Sequence, residues 1–269
     1  GKYLRVEANF DEELAENPIL TIGSEENTQT ITFEFRGKVD NKYVYVADIK
    51  LDNSILKLED GEEVPFTVTN VKDMAGNEST FNNSNVTYTD KYGQVTYDNT
   101  APEYYQLGIL NKTHYLDGGN IEYAINGDEV RVLVSFKEKL AVAPKIKVNN
   151  DFELNTVFAP DTSTETLFYY IADFTITEEM ELPEGEIQIE VYGYEDEAGN
   201  KGEKLTNTNI NRIDYTKVVY DKTAPKATFV KIQNSKDPNT TWAKEGEDVW
   251  VYVKIDEKLS VEPTFTIAG

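Results

Sequence analysis

Residues 130–136 read Val130-Arg131-Val132-Leu133-Val134-Ser135-Phe136, and this stretch decides the fold. Val130, Val132, Val134 and Phe136 share one side, and Arg131 and Ser135 fall on the other, which is the period of two of a half-buried strand. The register recurs twice. Leu4, Val6, Ala8 and Phe10 alternate with Arg5, Glu7 and Asn9, and Val249, Val251, Val253 and Ile255 alternate with Trp250, Tyr252 and Lys254. After each stretch come charges, then Leu14, Leu140 or Leu259, then Pro18, Pro144 or Pro263. Long helical periodicity is absent, so the sequence predicts an all-β chain.

Outward from these strands a repeat of about 123 residues emerges, which is the first thing to seek in a chain of this length. Asp73-Met74-Ala75-Gly76-Asn77 returns 123 positions later as Asp196-Glu197-Ala198-Gly199-Asn200. Tyr97-Asp98-Asn99-Thr100-Ala101-Pro102 returns at the same spacing as Tyr220-Asp221-Lys222-Thr223-Ala224-Pro225. Tyr45-Val46-Ala47-Asp48 matches Tyr170-Ile171-Ala172-Asp173 at a spacing of 125. The spacing divides the chain into three: residues 1–99 as a module lacking its first strand, 100–222 as a complete module, and 223–269 as the N-terminal part of a third. Both ends then read as cuts through a longer array. Strands in the complete module are expected at about 103–110, 129–137, 144–149, 152–158, 167–176, 186–194 and 213–220. Seven short strands in this length suit a β-sandwich better than a closed barrel, which the count leaves open. The expected core includes Val130, Val132, Val134, Phe136, Ile171, Ile187, Ile189 and Val191.

Composition removes whole classes of function. The 269 residues carry 26 Lys plus Arg against 49 Asp plus Glu, a net charge of −23. Phosphate backbones would repel such a chain, which argues against nucleic-acid binding. No apolar run reaches the roughly 18 residues of a membrane span. With no Cys and one His, His114, disulfides, thiol catalysis and multi-histidine metal sites fall away. Carboxylate chemistry and oxygen-ligated cations remain. Yet the acids lie at turns and outward positions with no aromatic-lined concave segment, so no enzyme activity is expected.

Three signatures carry a resemblance. They are Gly127-Asp128-Glu129-Val130 through Phe136-Lys137-Glu138-Lys139-Leu140 with its echo at Gly246 to Leu259, the Asp-x-Ala-Gly-Asn string, and Tyr-Asp-x-Thr-Ala-Pro. In these the chain resembles the bacterial immunoglobulin-like repeats of large exported surface proteins. The resemblance implies tandem immunoglobulin-like sandwiches, an extracellular place on the bacterial surface, and service as a stalk, adhesin segment, surface-layer unit or spacer of a secreted enzyme. The expected partners are neighbouring modules of the same longer chain, with a host or cell-surface protein or glycan as the alternative. Residue chemistry agrees: Thr-Ala-Pro follows a strand directly, and the fixed φ of Pro suits a stiff joint.

Two candidate sites follow. The Asp-x-Ala-Gly-Asn string builds a tight hairpin turn on one reading. On the other it shares a Ca²⁺ site, because hard cations gather oxygens from carboxylates, Asn and carbonyls. An immunoglobulin-like topology would collect Asp98, Glu138, Asp196 and Asn200 at the first joint, and Asp221, Asp256 and Glu257 at the second, the better candidate of the two. Lys137 and Lys139 count against the first joint, since they could pair with Asp98 and Asp196. Asp11, Glu12, Asp73 and Asn77 would sit at the outer pole of the first copy. The second site is the exposed pair Trp250 and Tyr252, able to stack on a sugar or meet a protein partner, unless neighbouring strands cover them. Trp242 aligns with Tyr123, predicting a repeated aromatic packing role. His114 reads as an incidental loop residue.

Overall fold

A computed structural model describes residues 3–87, 93–237 and 239–266. Residues 1–2, 88–92, 238 and 267–269, which the expected first and third modules include, lie outside the described residues. The chain is all-β, in several mainly antiparallel sheets.

The first copy contains β1 (Leu4–Phe10), β2 (Ile19–Ser24), β3 (Asn27–Thr32), β4 (Glu34–Val39), β5 (Lys42–Ile49), the short helix α1 (Asn53–Leu56), β6 (Phe66–Lys72) and β7 (Glu78–Asn82). Sheet β1-β5-β4 and sheet β3-β2-β6-β7 enclose a core with Leu20, Ile22, Phe33, Tyr45, Val64 and Val68 buried between them.

The middle copy contains β8 (Tyr104–Asn111), α2 (Lys112–Asp117), β9 (Tyr123–Ala124), β10 (Glu129–Phe136), β11 (Lys145–Val148), β12 (Phe152–Asn155), β13 (Val157–Phe158), β14 (Phe168–Thr175), β15 (Gly185–Glu186), β16 (Ile189–Tyr192), β17 (Leu205–Thr206) and β18 (Val219–Tyr220). Sheets β13-β14-β10-β8 and β12-β11-β16-β17 form two layers, and β15-β18-β9 closes one end. Val130, Val132, Val134, Phe136, Ile187, Ile189 and Val191 are buried as expected. Ile171 is only half-buried and stands opposite Leu133 and Val157. The period of two turns its neighbours Tyr170 and Ala172 inward instead.

Two expected strands break. The segment 152–158 changes sheets, since β12 pairs with β11 and β13 pairs with β14. Between them Thr156 bonds the Pro144 carbonyl through its hydroxyl at 2.7 Å. In the first copy Phe33 holds the same place between β3 and β4, its amide on the Pro18 carbonyl at 2.9 Å. Of the strand expected over 213–220 only Val219–Tyr220 forms. The stretch before it crosses β8 as a strap: Asn211 and Arg212 amides donate to the Leu107 carbonyl, and the Tyr215 carbonyl accepts from the Ile109 amide. This covers an exposed sheet edge, a common defence against wrong pairing. It also puts Tyr215 and Arg212 over Gly108, where a Cβ would lie 3.0 Å from Tyr215 Cβ and 3.2 Å from Arg212 Cβ.

The third copy contributes β19 (Ala227–Asn234) and β20 (Val249–Ile255), paired antiparallel. Val230 and Ile232 are 64% and 62% exposed, whereas Leu107 and Ile109, 123 residues earlier, are at 0% beneath the second sheet.

Candidate functional site

Asp-x-Ala-Gly-Asn is a closed turn in both copies. Asp73 Oδ1 accepts from the Ala75 and Asn77 amides at 2.8 Å each, and Oδ2 accepts from Asn77 Nδ2 at 2.6 Å. Asp196 Oδ1 accepts from the Gly199 and Asn200 amides at 2.6 and 2.8 Å, and Oδ2 from Asn200 Nδ2 at 2.9 Å. Gly76 and Gly199 both sit at φ 94°, which a Cβ would strain. Hydrogen bonds from Asn77 and from its own turn amides hold the Asp73 carboxyl below its ordinary range.

The joint motif has an equally definite role. Asp98 Oδ1 accepts from the Thr100 amide at 3.1 Å, and Asp221 Oδ1 accepts from the Thr223 amide at 3.0 Å. A second acid then grips each Thr. Asp60 takes the Thr100 hydroxyl at 2.5 Å and the Asn99 amide at 2.6 Å. Glu184 takes the Thr223 hydroxyl at 2.6 Å and the Lys222 amide at 3.0 Å. These bonds lower the pKa of Asp60 and of Glu184, with the Thr hydroxyl the largest cause in each. Asp60 and Glu184 had no place in the sequence reading; their alignment before Gly61 and Gly185 was the available signal.

The structure brings Asp98, Glu138, Asp196 and Asn200 together at the first joint. Asn200 Nδ2 reaches Asp98 Oδ1 at 3.1 Å as well as Asp196, so it is the amide donor of Asn200 that faces both carboxylates. Burial, and then the charges of Asp196 and Asp98, push the Glu138 carboxyl above its ordinary range. Lys137 turns away to Glu103 at 2.7 Å. At the second joint Asp256 is tied to its own sheet, accepting from the Lys226 amide at 2.8 Å, while Glu257 is exposed. Asp11 pairs with Lys42, and Glu12 is exposed. Among the described residues, no three His, Asp or Glu side chains are grouped to hold a metal ion.

Trp250 and Tyr252 lie side by side on β20, 51% and 42% exposed, with ring centroids 6.1 Å apart edge to face. The counterparts of Trp250 carry salt bridges instead: Arg5 with Asp48 and Arg131 with Asp173, each at 2.7 Å. Trp242 and Tyr123 do not pack as a repeated aromatic pair, being 82% and 48% exposed. What recurs is their backbone carbonyl, which accepts from Asn234 Nδ2 at 3.1 Å and from Asn111 Nδ2 at 2.7 Å. His114 belongs to α2 rather than a loop, because Asn111 caps that helix through the His114 amide at 3.0 Å. Its Nε2 lies 3.6 Å from Asp128, a carboxylate that also receives Asn111 Nδ2 at 2.8 Å.

A cleft of about 470 Å³ opens beside β1, lined by Leu4, Val6, Ala8, Phe10, Phe66 and Phe81 among others. It occupies the position that β8 fills beside β10 in the middle copy. Its lining is mainly apolar and holds no close pair of carboxylates. Among the described residues, no helix is long and apolar enough to cross a membrane.

No family model matches the chain, and no curated protein matches it.

Proposed function

We propose that this chain is a non-enzymatic structural segment of a bacterial surface protein, a run of immunoglobulin-like sandwiches joined stiffly end to end. The clamped joint is the observation that carries this reading. At both junctions an acid from an earlier loop, Asp60 or Glu184, holds the Thr that opens the next copy. At the first, Asn200 also bonds back across the joint to Asp98. Backbone freedom is what makes a linker flexible, and hydrogen bonds on consecutive linker residues remove it.

Contacts that recur between copies support the tandem reading. Tyr45 and Tyr170 each accept a backbone amide on the hydroxyl, from Leu14 at 3.3 Å and Leu140 at 3.0 Å. Phe10 meets Tyr45, and Phe136 meets Tyr170, edge to face at 5.7 and 5.9 Å. These latches tie the end of one long strand to another, so pulling on the chain loads many interstrand bonds at once. High acidity keeps such a rod soluble and self-repelling.

Single-molecule extension of the chain tests this. The middle copy should unfold in one step that releases roughly 400 Å, from about 3.5 Å per extended residue over its length. Small-angle scattering should give an elongated, stiff particle that loosens in the Asp60→Asn, Thr100→Val variant. Gradual yielding without discrete steps, or a wild-type particle as flexible as the variant, would reject the reading.

A further inference from the structure

We propose that the outward face of the β19–β20 hairpin binds a polysaccharide chain bearing carboxylate groups. The ladder places an aromatic ring opposite a donor at three consecutive outward pairs: Trp250 opposite Gln233, Tyr252 opposite Lys231, and Phe229 opposite Lys254. All three rings are exposed, Phe229 by 52%. They run as an open stripe along the strands. Lys231 and Lys254 enter no ion pair among the described residues, so two uncompensated ammonium groups stand out on a chain of net charge −23.

The simplest competing account is that this face is covered as its counterpart is, and one residue argues against it. In the middle copy the corresponding outward face is closed: Leu110, Leu133 and Ser135 are buried. The 211–215 strap achieves this by resting on Gly108, where even a methyl group would approach Tyr215 Cβ to 3.0 Å. The residue 123 positions after Gly108 is Lys231. A strap cannot lie against a lysine stem as it lies against a glycine. Arg131, whose bond to Asp173 occupies the middle face, is replaced by Trp250. The third copy therefore carries a different face, built of rings and donors.

The chemistry selects the ligand. Aromatic faces receive the C–H faces of pyranose rings, while ammonium and amide groups pair with hydroxyls and carboxylates. Extended peptides bind by adding to sheet edges, and this stripe is on a sheet face. Nucleic acid carries a charge every ~1.7 Å, against which the net charge of the chain acts. An acidic sugar polymer is more sparsely charged, and acids of the chain more than a screening length of about 8 Å away are screened, so a carboxylate held within that distance feels chiefly the two lysines. This site does not depend on the stalk reading.

Titration calorimetry of the full chain with polygalacturonate and with neutral mannan, at low and high salt, tests the proposal. The expected result is binding to polygalacturonate that weakens with salt and exceeds binding to mannan. Trp250→Ala and the double variant Lys231→Gln, Lys254→Gln should each lose about tenfold in affinity, whereas Arg131→Gln loses nothing. The lysine variant keeps every ring and ladder bond, so it separates lost binding from a disturbed hairpin. Quenching of Trp fluorescence by the polymer gives a second reading. Absence of binding, undiminished binding by the lysine variant, or equal affinity for polyglutamate or an oligonucleotide would each overturn it.

Discussion

Replacing Gly108 by Ala tests whether the strap is seated as described. In a strand this exchange ordinarily stabilises by roughly 0.5–1 kcal/mol, because it removes freedom from the unfolded chain. Nothing in the backbone forbids it, since Gly108 is outside the left-handed region. The new Cβ, however, would stand 3.0 Å from Tyr215 Cβ, 3.1 Å from the Tyr215 carbonyl oxygen and 3.2 Å from Arg212 Cβ. Carbon atoms prefer about 3.5–4.0 Å. Two of these neighbours are held directly to β8, the Tyr215 carbonyl by Ile109 at 3.1 Å and the Arg212 amide by Leu107 at 3.2 Å. Neither can give way without stretching those bonds. Overpacking of this kind costs about 1–3 kcal/mol. Net of the entropic gain, Gly108→Ala should destabilise the middle copy by about 1–2 kcal/mol. Urea unfolding followed by far-UV circular dichroism measures the cost, and faster exchange of the Ile109 amide locates it. A variant as stable as the wild type, or more so, would refute the strap and weaken the case that Lys231 excludes one. Gly108→Lys should lift the strap entirely and expose Leu133, adding about 2 kcal/mol.

Three other outcomes are expected. Asn111→Ala should cost about 3 kcal/mol or more in urea unfolding, since it removes a helix cap and strands the Tyr123 carbonyl and the buried Asp128 carboxylate; a loss under about 1 kcal/mol would contradict the role assigned to this residue. Carboxyl titration by NMR should show Glu138 protonating above the ordinary 4.5 of a glutamate and Asp60 below the ordinary 3.8 of an aspartate. The folded-state pKa of Glu138 is raised, so its repulsion is relieved as pH falls through that value. That of Asp60 is depressed, so its clamp is present above 3.8 and is lost as pH falls further. The first joint should therefore be tightest in a mildly acidic window between these steps, and the reverse order of titration would disprove the assignment. Saturating Ca²⁺ should leave the melting temperature unchanged, because Asp196 is already spent on Gly199 and Asn200 amides; a rise with Ca²⁺ concentration would show the cluster reopening around a cation.

Much of the architecture was legible because its cause is local. Period-two patterning marked β1, β10 and β20, and the Asp-Gly-Asn string marked its turns. The errors fall where distant groups compete. Residues 213–215 look like part of a strand by composition, yet they belong to the strap on Gly108 because the β8 edge offers partners there. Leu205–Thr206 does not look like a strand, yet it pairs with β16. At the first joint, sequence order put Asp98, Glu138 and Asp196 near one another. It could not show which way the Asn200 amide points, nor that Asp60, 40 residues from Thr100, supplies the clamp.

By itself the sequence determined the all-β class, the 123-residue spacing of the recurring strings and the inward faces of β1 and β10. Those properties follow from neighbours two positions apart and from turn residues that need positive φ. The tertiary structure alone decided that the outward face of β10 is covered. Leu133 and Trp250 hold nearby outward positions in the same strand pattern, and one is buried while the other is half-exposed. In the middle copy a chain segment about a hundred residues away comes within van der Waals range of position 108. Close packing settles that at the scale of a single methyl group, and no pattern along one strand encodes it.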